Sequence, residues 1–164
     1  MAILVLMMGI PGSGKSTWAN KVLNPKMDSY ISRDEIRYSL IKEDEEYFAK
    51  ENEVLQIFIK KINDAIKNTK RYVYADATHL NPKSRLKLLK NLTNKPDYIY
   101  TAFLDIPLDI ALQRNEMRTG RALVPKNAIY NMYKSIILPT KKEGIDILFK
   151  INSEGLIFEK EDLV

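Results

Sequence analysis

Residues 9–16, Gly-Ile-Pro-Gly-Ser-Gly-Lys-Ser, constrain the fold of this 164-residue chain more than any other stretch. They fit the phosphate-loop pattern G-x-x-x-x-G-K-[ST], which joins a strand to the helix that follows it. The apolar run Ile3–Met8 predicts that strand, and residues 17–23 predict the helix. A glycine-rich turn without a ligand is the alternative, and the complete pattern in this context argues against it. The sequence therefore predicts a site for nucleotide phosphates.

The residue types of this loop have a physical explanation. Its glycines can adopt backbone angles closed to residues with a Cβ, so the loop N–H groups can turn inward around an anion. Lys15 can reach the β- and γ-phosphates, and the Ser16 hydroxyl can bind Mg²⁺. We therefore expect ATP or another NTP together with Mg²⁺. The loop residues expected to contact the nucleotide are Gly9, Pro11, Gly12, Ser13, Gly14, Lys15, Ser16 and Thr17.

Composition excludes several other classes of site. The chain is 45% hydrophobic and 29% charged, which is typical of a soluble globular domain. It has no cysteine and one histidine, so neither thiolate chemistry nor a transition-metal site is expected. No apolar run approaches the length of a membrane span, and no signal peptide is evident. We expect a cytoplasmic protein without a membrane partner.

Predicted strands alternate with predicted helices along the whole chain. This order indicates an α/β fold with a parallel sheet of about five strands and helices on both faces. A long helix is predicted from an acidic start at residues 43–46, with Tyr47 and Phe48 on its core face. We expect a single domain, residues 1–164. The predicted strands are Ile3–Met8, Ser29–Ser32, 71–76, Tyr98–Leu104 and 145–151, with a further edge strand at 156–158.

Acidic residues follow several of these strands. In parallel sheets, ligands bind beyond the carboxyl ends of the strands, so Asp34, Asp76 with His79, and Asp105 should face one crevice with the phosphate loop. Asp34 is the candidate base for a hydroxyl that attacks the γ-phosphate, and capping of the next helix is the alternative. The sequence does not choose between Asp76 and Asp105 as a Mg²⁺ ligand.

Basic residues are concentrated in the later part of the chain. The net charge is +5, and residues 83–142 hold 12 Lys and Arg against 4 Asp and Glu. This surface can attract a polyanion, although ATP is also an anion. Arg114, Arg118 and Arg121 lie beside Gly120 and are typical of a mobile lid, at about residues 114–125, that closes over phosphates. Ordinary surface arginines are the alternative.

Four segments of the chain match a known family, in the same order along the sequence. The chain resembles the 5′-kinase domain of the polynucleotide kinases of T-even bacteriophages over nearly its whole length. The matching positions are residues 9–19, 32–37, 78–82 and 104–107, followed by Arg114-Asn115, Arg118, Val124-Pro125 and residues 132–135. The resemblance implies a P-loop kinase fold and transfer of an NTP γ-phosphate to a 5′-hydroxyl end of DNA or RNA, as in nucleic acid repair.

The same resemblance implies roles for individual residues. Lys15 and Ser16 would serve the phosphates and Mg²⁺, and Asp34 would be the general base. The implied lid arginine on the ATP phosphates is Arg118, with Arg121 as a further contact. The resemblance implies Arg37 as a contact to a substrate phosphate, and Arg33, Thr78 and His79 are further candidate acceptor contacts.

The chain departs from the phage pattern at two places. The family has an aspartate immediately before the threonine that matches Thr78, whereas this chain has Ala77 there and Asp76 one position earlier. In the lid, Thr119-Gly120 reverses the usual order. The chain also ends too early for the phosphatase domain of the phage enzymes, so no phosphatase activity is expected.

Two other functions are compatible with the sequence. One is a P-loop kinase that phosphorylates a nucleoside, sugar, antibiotic or sugar-nucleotide, because one fold hosts many acceptors. The other is a nucleotide-dependent switch without transfer chemistry. The sequence indicates neither the choice of DNA or RNA nor the oligomeric state.

Overall fold

The computed structural model describes residues 1–69 and 71–164. Strands and helices alternate along these residues, as the sequence predicts. In chain order the elements are β1 (Ile3–Met8), α1 (Lys15–Val22), β2 (Ser29–Ser32), α2 (Arg33–Leu40), α3 (Glu51–Asn68), β3 (Tyr72–Asp76), α4 (Pro82–Leu89), β4 (Tyr98–Leu104), α5 (Leu108–Glu116), α6 (Lys126–Lys134), β5 (Ile147–Ile151) and β6 (Ile157–Asp162), with 3₁₀ turns at Gly120–Ala122 and Lys141–Glu143.

The strands form one sheet in the order β2-β3-β1-β4-β5-β6. The first five are parallel to one another, which confirms the predicted α/β fold, and β6 runs antiparallel to β5. The predicted edge strand at residues 156–158 is therefore longer than expected. Asn152 starts the turn before it, because its side-chain oxygen accepts hydrogen bonds from the N–H groups of Glu154 and Leu156, both at 3.0 Å.

β1 lies at the centre of the sheet, and all six of its residues are buried. Alternate side chains of a strand point to opposite faces. Leu4 and Leu6 pack in one core with Phe58 of α3, while the intervening residues pack with Trp18 of α1 on the other face. The phosphate loop thus leaves the most buried strand of the molecule.

The predicted start of the long helix is wrong. Residues 41–50 form a series of turns, and α3 begins at Glu51. Phe48 is 61% exposed and Tyr47 is only half-buried, so neither belongs to the core. Isolated backbone hydrogen bonds of turns replace the regular hydrogen bonds of a helix here, including one from the Ala49 N–H to the Glu46 carbonyl at 3.0 Å. α6 ends at Lys134, where the Ser135 hydroxyl donates to the Met132 carbonyl of the last turn.

Buried polar contacts fix the loop between β3 and α4 beside the phosphate loop. The N–H of Gly9 donates to the Thr78 carbonyl at 3.1 Å, and Arg85 donates to the carbonyl of His79 at 2.9 Å. Arg85 is fully buried and forms a two-bond ion pair with Glu143. Among the described residues, none of the helices has the length and apolar character needed to cross a membrane.

Candidate active site

The carboxyl ends of β1, β2 and β3 open onto a cleft of about 750 Å³. The phosphate loop, the start of α2, the turns before α3, the end of β3 and the segment between α5 and α6 all contribute to its walls. Its lining residues are Pro11, Gly12, Gly14, Lys15, Ser16, Thr17, Ser32, Arg33, Asp34, Arg37, Tyr38, Tyr47, Phe48, Glu51, Asp76, Ala77, Thr78, Arg118, Arg121, Ala122, Leu123, Val124, Pro125, Ala128 and Met132.

The glycines of the phosphate loop are required by its geometry. Gly12 and Gly14 have φ angles of 81° and 89°, in the left-handed region that favours glycine. A Cβ on Gly12 would lie 2.3 Å from the carbonyl oxygen of Ala111, so this glycine allows α5 to pack directly against the loop. Helix α1 starts at Lys15, and its first N–H groups have no intrahelical partner. This is the arrangement by which helix N-termini bind phosphate.

Lys15 is held against its own loop. Its Nζ donates to the carbonyl of Gly9 at 2.9 Å and to that of Ile10 at 3.3 Å. Burial lowers the pKa of the Lys15 ammonium, while the carboxylates of Asp76 and Asp34 act in the opposite direction. The ammonium therefore lies within the electrostatic reach of both candidate carboxylates.

Asp76, and not Asp105, lies at the phosphate loop. The Ser16 hydroxyl donates to Asp76 Oδ2 at 3.1 Å, and the Tyr30 hydroxyl donates to the same oxygen. Asp76 is 6% exposed and lines the cleft, whereas Asp105 is exposed and does not line it. A hydroxyl beside a carboxylate supplies the oxygen ligands that Mg²⁺ prefers.

Tyr30 is a residue of the site that was not predicted from the sequence. Burial, followed by its hydrogen bond to Asp76, raises the pKa of the Tyr30 hydroxyl, which therefore remains a proton donor at neutral pH. Its position two residues before the end of β2 is the signal in the sequence that points to it, since side chains near the ends of parallel strands face the crevice. No group of three or more acidic or histidine side chains suited to a metal occurs in residues 1–69 and 71–164.

Asp34 stands in the first turn of α2 and does not cap it. Ser32 is the N-cap, and its hydroxyl oxygen accepts the N–H of Glu35 at 3.2 Å. The Asp34 side chain is 59% exposed and lines the cleft. Its Oδ1 accepts the Tyr47 hydroxyl at 2.5 Å and pairs with Arg37 Nη1. Both contacts go to one oxygen, and Oδ2 has no partner in the part of the chain that the structure describes.

The predicted acceptor arginines lie in the cleft and are bound to a glutamate that the sequence did not single out. Arg37 is 4% exposed, and its guanidinium donates to both oxygens of Glu51 at 2.8 to 3.2 Å. Arg33 pairs with Glu51 as well. The guanidinium of Arg37 also lies 4.2 Å from the centre of the Tyr47 ring. This network holds the turns before α3 against Asp34.

The structure places Thr78 in the cleft and His79 outside it. His79 is 3% exposed, and its Nδ1 lies 2.7 Å from the Met7 carbonyl oxygen, to which it donates as the protonated nitrogen of a neutral ring. Burial lowers the pKa of this imidazole to about 4. His79 thus supports the end of β1 and does not line the cleft.

The three lid arginines have different environments. Arg118 is exposed and lines the cleft. Arg121 crosses to the end of α2, where it donates to the Ile41 carbonyl at 3.3 Å and lies 4.9 Å from the centre of the Tyr38 ring. Arg114 instead donates to the carbonyls of Ser13 at 3.3 Å and Ser153 at 2.9 Å, so it supports the phosphate loop from outside the cleft.

A single buried amide closes the base of the lid. Asn115 is 1% exposed, and its side chain donates to the Val124 carbonyl at 2.7 Å and accepts the Val124 N–H at 3.0 Å. The segment between these two residues is thereby held as a closed loop. These two hydrogen bonds fix the ends of a segment that carries the exposed Arg118 and Arg121.

Comparison with known proteins gives the same fold and a family. Residues 4–139 match the family model described as AAA domain. A relative from Autographa californica nuclear polyhedrosis virus, named as a bifunctional polynucleotide kinase/RNA ligase, is 26% identical over 147 residues. That match covers 82% of this chain and 21% of the viral protein, so the chain spans about a fifth of its length.

Solved structures match over most of the chain. The Pnkp1/Rnl/Hen1 RNA repair complex matches with 20% identity and a TM-score of 0.66, over 99% of this chain and 49% of that one. Chaetomium thermophilum Kti12 in complex with ADP-AlF3 matches with 16% identity and a TM-score of 0.65, over 91% and 88%. A gluconokinase from Sinorhizobium meliloti matches with 15% identity and a TM-score of 0.57, over 91% and 81%. Since the family model covers residues 4–139, the chain belongs to the AAA domain family of nucleotide-binding proteins.

Proposed function

We propose that this chain is a polynucleotide 5′-hydroxyl kinase that transfers the γ-phosphate of ATP or another NTP to the 5′-hydroxyl end of DNA or RNA. The observation that carries the proposal is Asp34, a partly exposed carboxylate with one unpaired oxygen in the same cleft as the phosphate loop. The name of the viral relative and the RNA repair complex among the structural matches support a nucleic acid as the acceptor.

The phosphate loop would bind the triphosphate. The unpaired N–H groups at the start of α1 and the Lys15 ammonium would bind the β- and γ-phosphates. Ser16, with Asp76 beside it, would hold Mg²⁺, which when bound neutralises charge that develops on the phosphates. The loop residues Pro11, Gly12, Gly14 and Thr17 line the cleft and would supply the remaining contacts, whereas Gly9 and Ser13 are buried and do not line it.

Asp34 would act as the general base. As the acceptor oxygen forms its bond to the γ-phosphorus, the bond from that phosphorus to the bridging oxygen breaks and the nucleoside diphosphate leaves. The proton of the hydroxyl passes to the unpaired oxygen of Asp34, while Tyr47 and Arg37 hold the other oxygen. Arg118 would stabilise the charge on the transferred phosphoryl group, with Arg121 closing the lid.

Arg33, Arg37 and Thr78 line the same cleft as Asp34 and would bind the acceptor. Their position agrees with contacts to a phosphate near the 5′ end, for which Arg37 would exchange one of its bonds to Glu51. The extent of one domain over residues 1–164 and the cytoplasmic location stay predictions from the sequence.

A kinase for a small acceptor is the second candidate, because structures of a gluconokinase and a sugar kinase also match this fold. The two candidate functions differ in the acceptor that is phosphorylated. We expect γ-labelled ATP to label 5′-hydroxyl oligonucleotides of DNA, RNA or both, and not nucleosides or sugars at equal concentration. KM for the oligonucleotide should rise steeply with salt, since several phosphates would be contacted. Labelling of a small acceptor without labelling of any oligonucleotide would overturn the proposal.

A further inference from the structure

One wall of the cleft carries an aromatic ring that the proposed reaction does not use. Phe48 lines the cleft and is 61% exposed. It lies in the turns that precede α3, outside any helix. An exposed phenylalanine that lines a cleft is a ready contact for a flat apolar ligand group.

The position of the Phe48 ring is set by the side chains that hold Asp34. The Tyr47 ring packs edge-on against it, with ring centres 4.7 Å apart and an interplanar angle of 88°. The guanidinium carbon of Arg37 lies 5.6 Å from the centre of the Phe48 ring. Tyr47 and Arg37 are also the two residues that contact Asp34 Oδ1. The Phe48 ring therefore packs against the same two side chains that contact the candidate base.

We propose that Phe48 stacks on the base of the acceptor's terminal nucleotide, the one that carries the 5′-hydroxyl. This inference rests on the proposed function and adds the part of the acceptor that the cleft recognises. Proteins that bind single-stranded nucleic acid combine cations on the phosphates with aromatic rings on the bases. Here Arg33 and Arg37 supply the cations and Phe48 supplies the ring, all in one cleft.

Stacking also explains how one enzyme would accept ends of different sequence, because every base has an aromatic face. The alternative is that Phe48 only makes an apolar contact with the predicted lid segment. Leu123 is 47% exposed and lines the same cleft, so an apolar contact between the two is the competing role. That contact would affect all acceptors equally, whereas stacking affects only acceptors with a base.

The test compares two acceptors that differ only in the terminal base. One is a 5′-hydroxyl oligonucleotide, and the other is the same oligonucleotide with an abasic terminal nucleotide. With the complete protein, Phe48→Ala should raise KM for the normal acceptor roughly 5- to 150-fold and leave KM for the abasic acceptor unchanged. Phe48→Trp keeps a ring and should retain the preference for the base.

Phe158→Ala is the matched control, because Phe158 is 52% exposed on β6 and does not line the cleft. It should change neither KM. An equal rise in KM for both acceptors with Phe48→Ala, or a wild-type protein that does not prefer the normal acceptor, would overturn the proposal. If Phe48→Ala does not fold, Phe48→Leu replaces it. Failure of the proposed function is a different result: the wild-type protein would phosphorylate neither oligonucleotide.

Discussion

The buried ion pair between Arg85 and Glu143 offers a prediction whose magnitude follows from the structure. Arg85 is 0% exposed, and its bonds to Glu143 measure 2.7 and 2.9 Å. The same guanidinium donates to the carbonyl of His79, and Glu143 accepts the N–H of Thr140 at 3.1 Å. The pair therefore joins α4 to the loop beside the active site and to the turn before β5.

Glu143→Ala would leave the Arg85 guanidinium buried without a counter-charge. Breaking one partner of such a pair typically costs about 3–5 kcal/mol, which is a large part of the 5–15 kcal/mol that stabilises a domain of this kind. Asp64→Asn is the control, because it removes an exposed pair with Lys60 one helical turn away. Its expected cost is at most about 0.5 kcal/mol.

Urea unfolding followed by circular dichroism measures both free energies. Glu143→Ala should lower the midpoint strongly with little change in slope, and Asp64→Asn should not. The double variant Arg85→Met/Glu143→Leu should recover most of the loss, since apolar side chains of similar volume can replace a buried pair. A free energy of unfolding for Glu143→Ala within about 1 kcal/mol of the wild type would show that the Arg85 guanidinium does not depend on Glu143 for its counter-charge.

Three further predictions concern the cleft and its support. Tyr47→Phe removes one hydrogen bond to Asp34 and should lower kcat roughly 10-fold or more with a smaller effect on KM for ATP, and an unchanged kcat would contradict its positioning role. Asp76→Asn should raise the Mg²⁺ concentration needed for half-maximal transfer, measured by titration against the wild type, because Ser16 loses its carboxylate neighbour. His79 has a pKa of about 4 in the folded state, below its ordinary 6.5, so its contribution to stability is present above pH 6.5 and is lost as the pH falls towards 4. His79→Asn should flatten that part of the stability profile in urea unfolding, and an identical profile would contradict a buried neutral imidazole.

Local signals in the sequence predict most of the fold. The apolar run of β1 and the glycines of the phosphate loop allow one arrangement of strand, turn and helix. Asn81 followed by Pro82 predicts the start of α4, and the Asn81 side chain indeed accepts the N–H of Ser84 at 3.1 Å. Each of these signals acts within four residues, so it does not depend on the rest of the molecule.

The parts that were not predicted depend on contacts between distant residues. The acidic run at residues 43–46 is typical of a helix start, but α3 begins at Glu51, whose carboxylate pairs with Arg33 and Arg37 of α2. The role of Tyr47 likewise follows from a hydrogen bond to a residue 13 positions earlier. Pairings of this kind require the packing of α2 against α3, and no periodicity in the sequence specifies them.

The selection of Asp76 over Asp105 has the same origin. Both aspartates follow or end buried strands, so position along the strand does not separate them. β3 and β4 both lie directly beside β1, so the strand order does not separate them either. The Asp76 carboxylate accepts the Ser16 hydroxyl and is buried, whereas Asp105 is exposed. The contact that selects Asp76 joins residues 60 positions apart in the sequence, which explains why the sequence left this choice open.

The most direct test of the account is single-turnover transfer from γ-labelled ATP to a 5′-hydroxyl oligonucleotide, measured for the wild type and for Asp34→Asn, with ATP affinity determined separately. Asp34→Asn should abolish transfer and bind ATP as the wild type does, whereas Lys15→Ala should weaken both. Transfer at the wild-type rate by Asp34→Asn would contradict the central claim that this carboxylate takes the proton of the attacking hydroxyl.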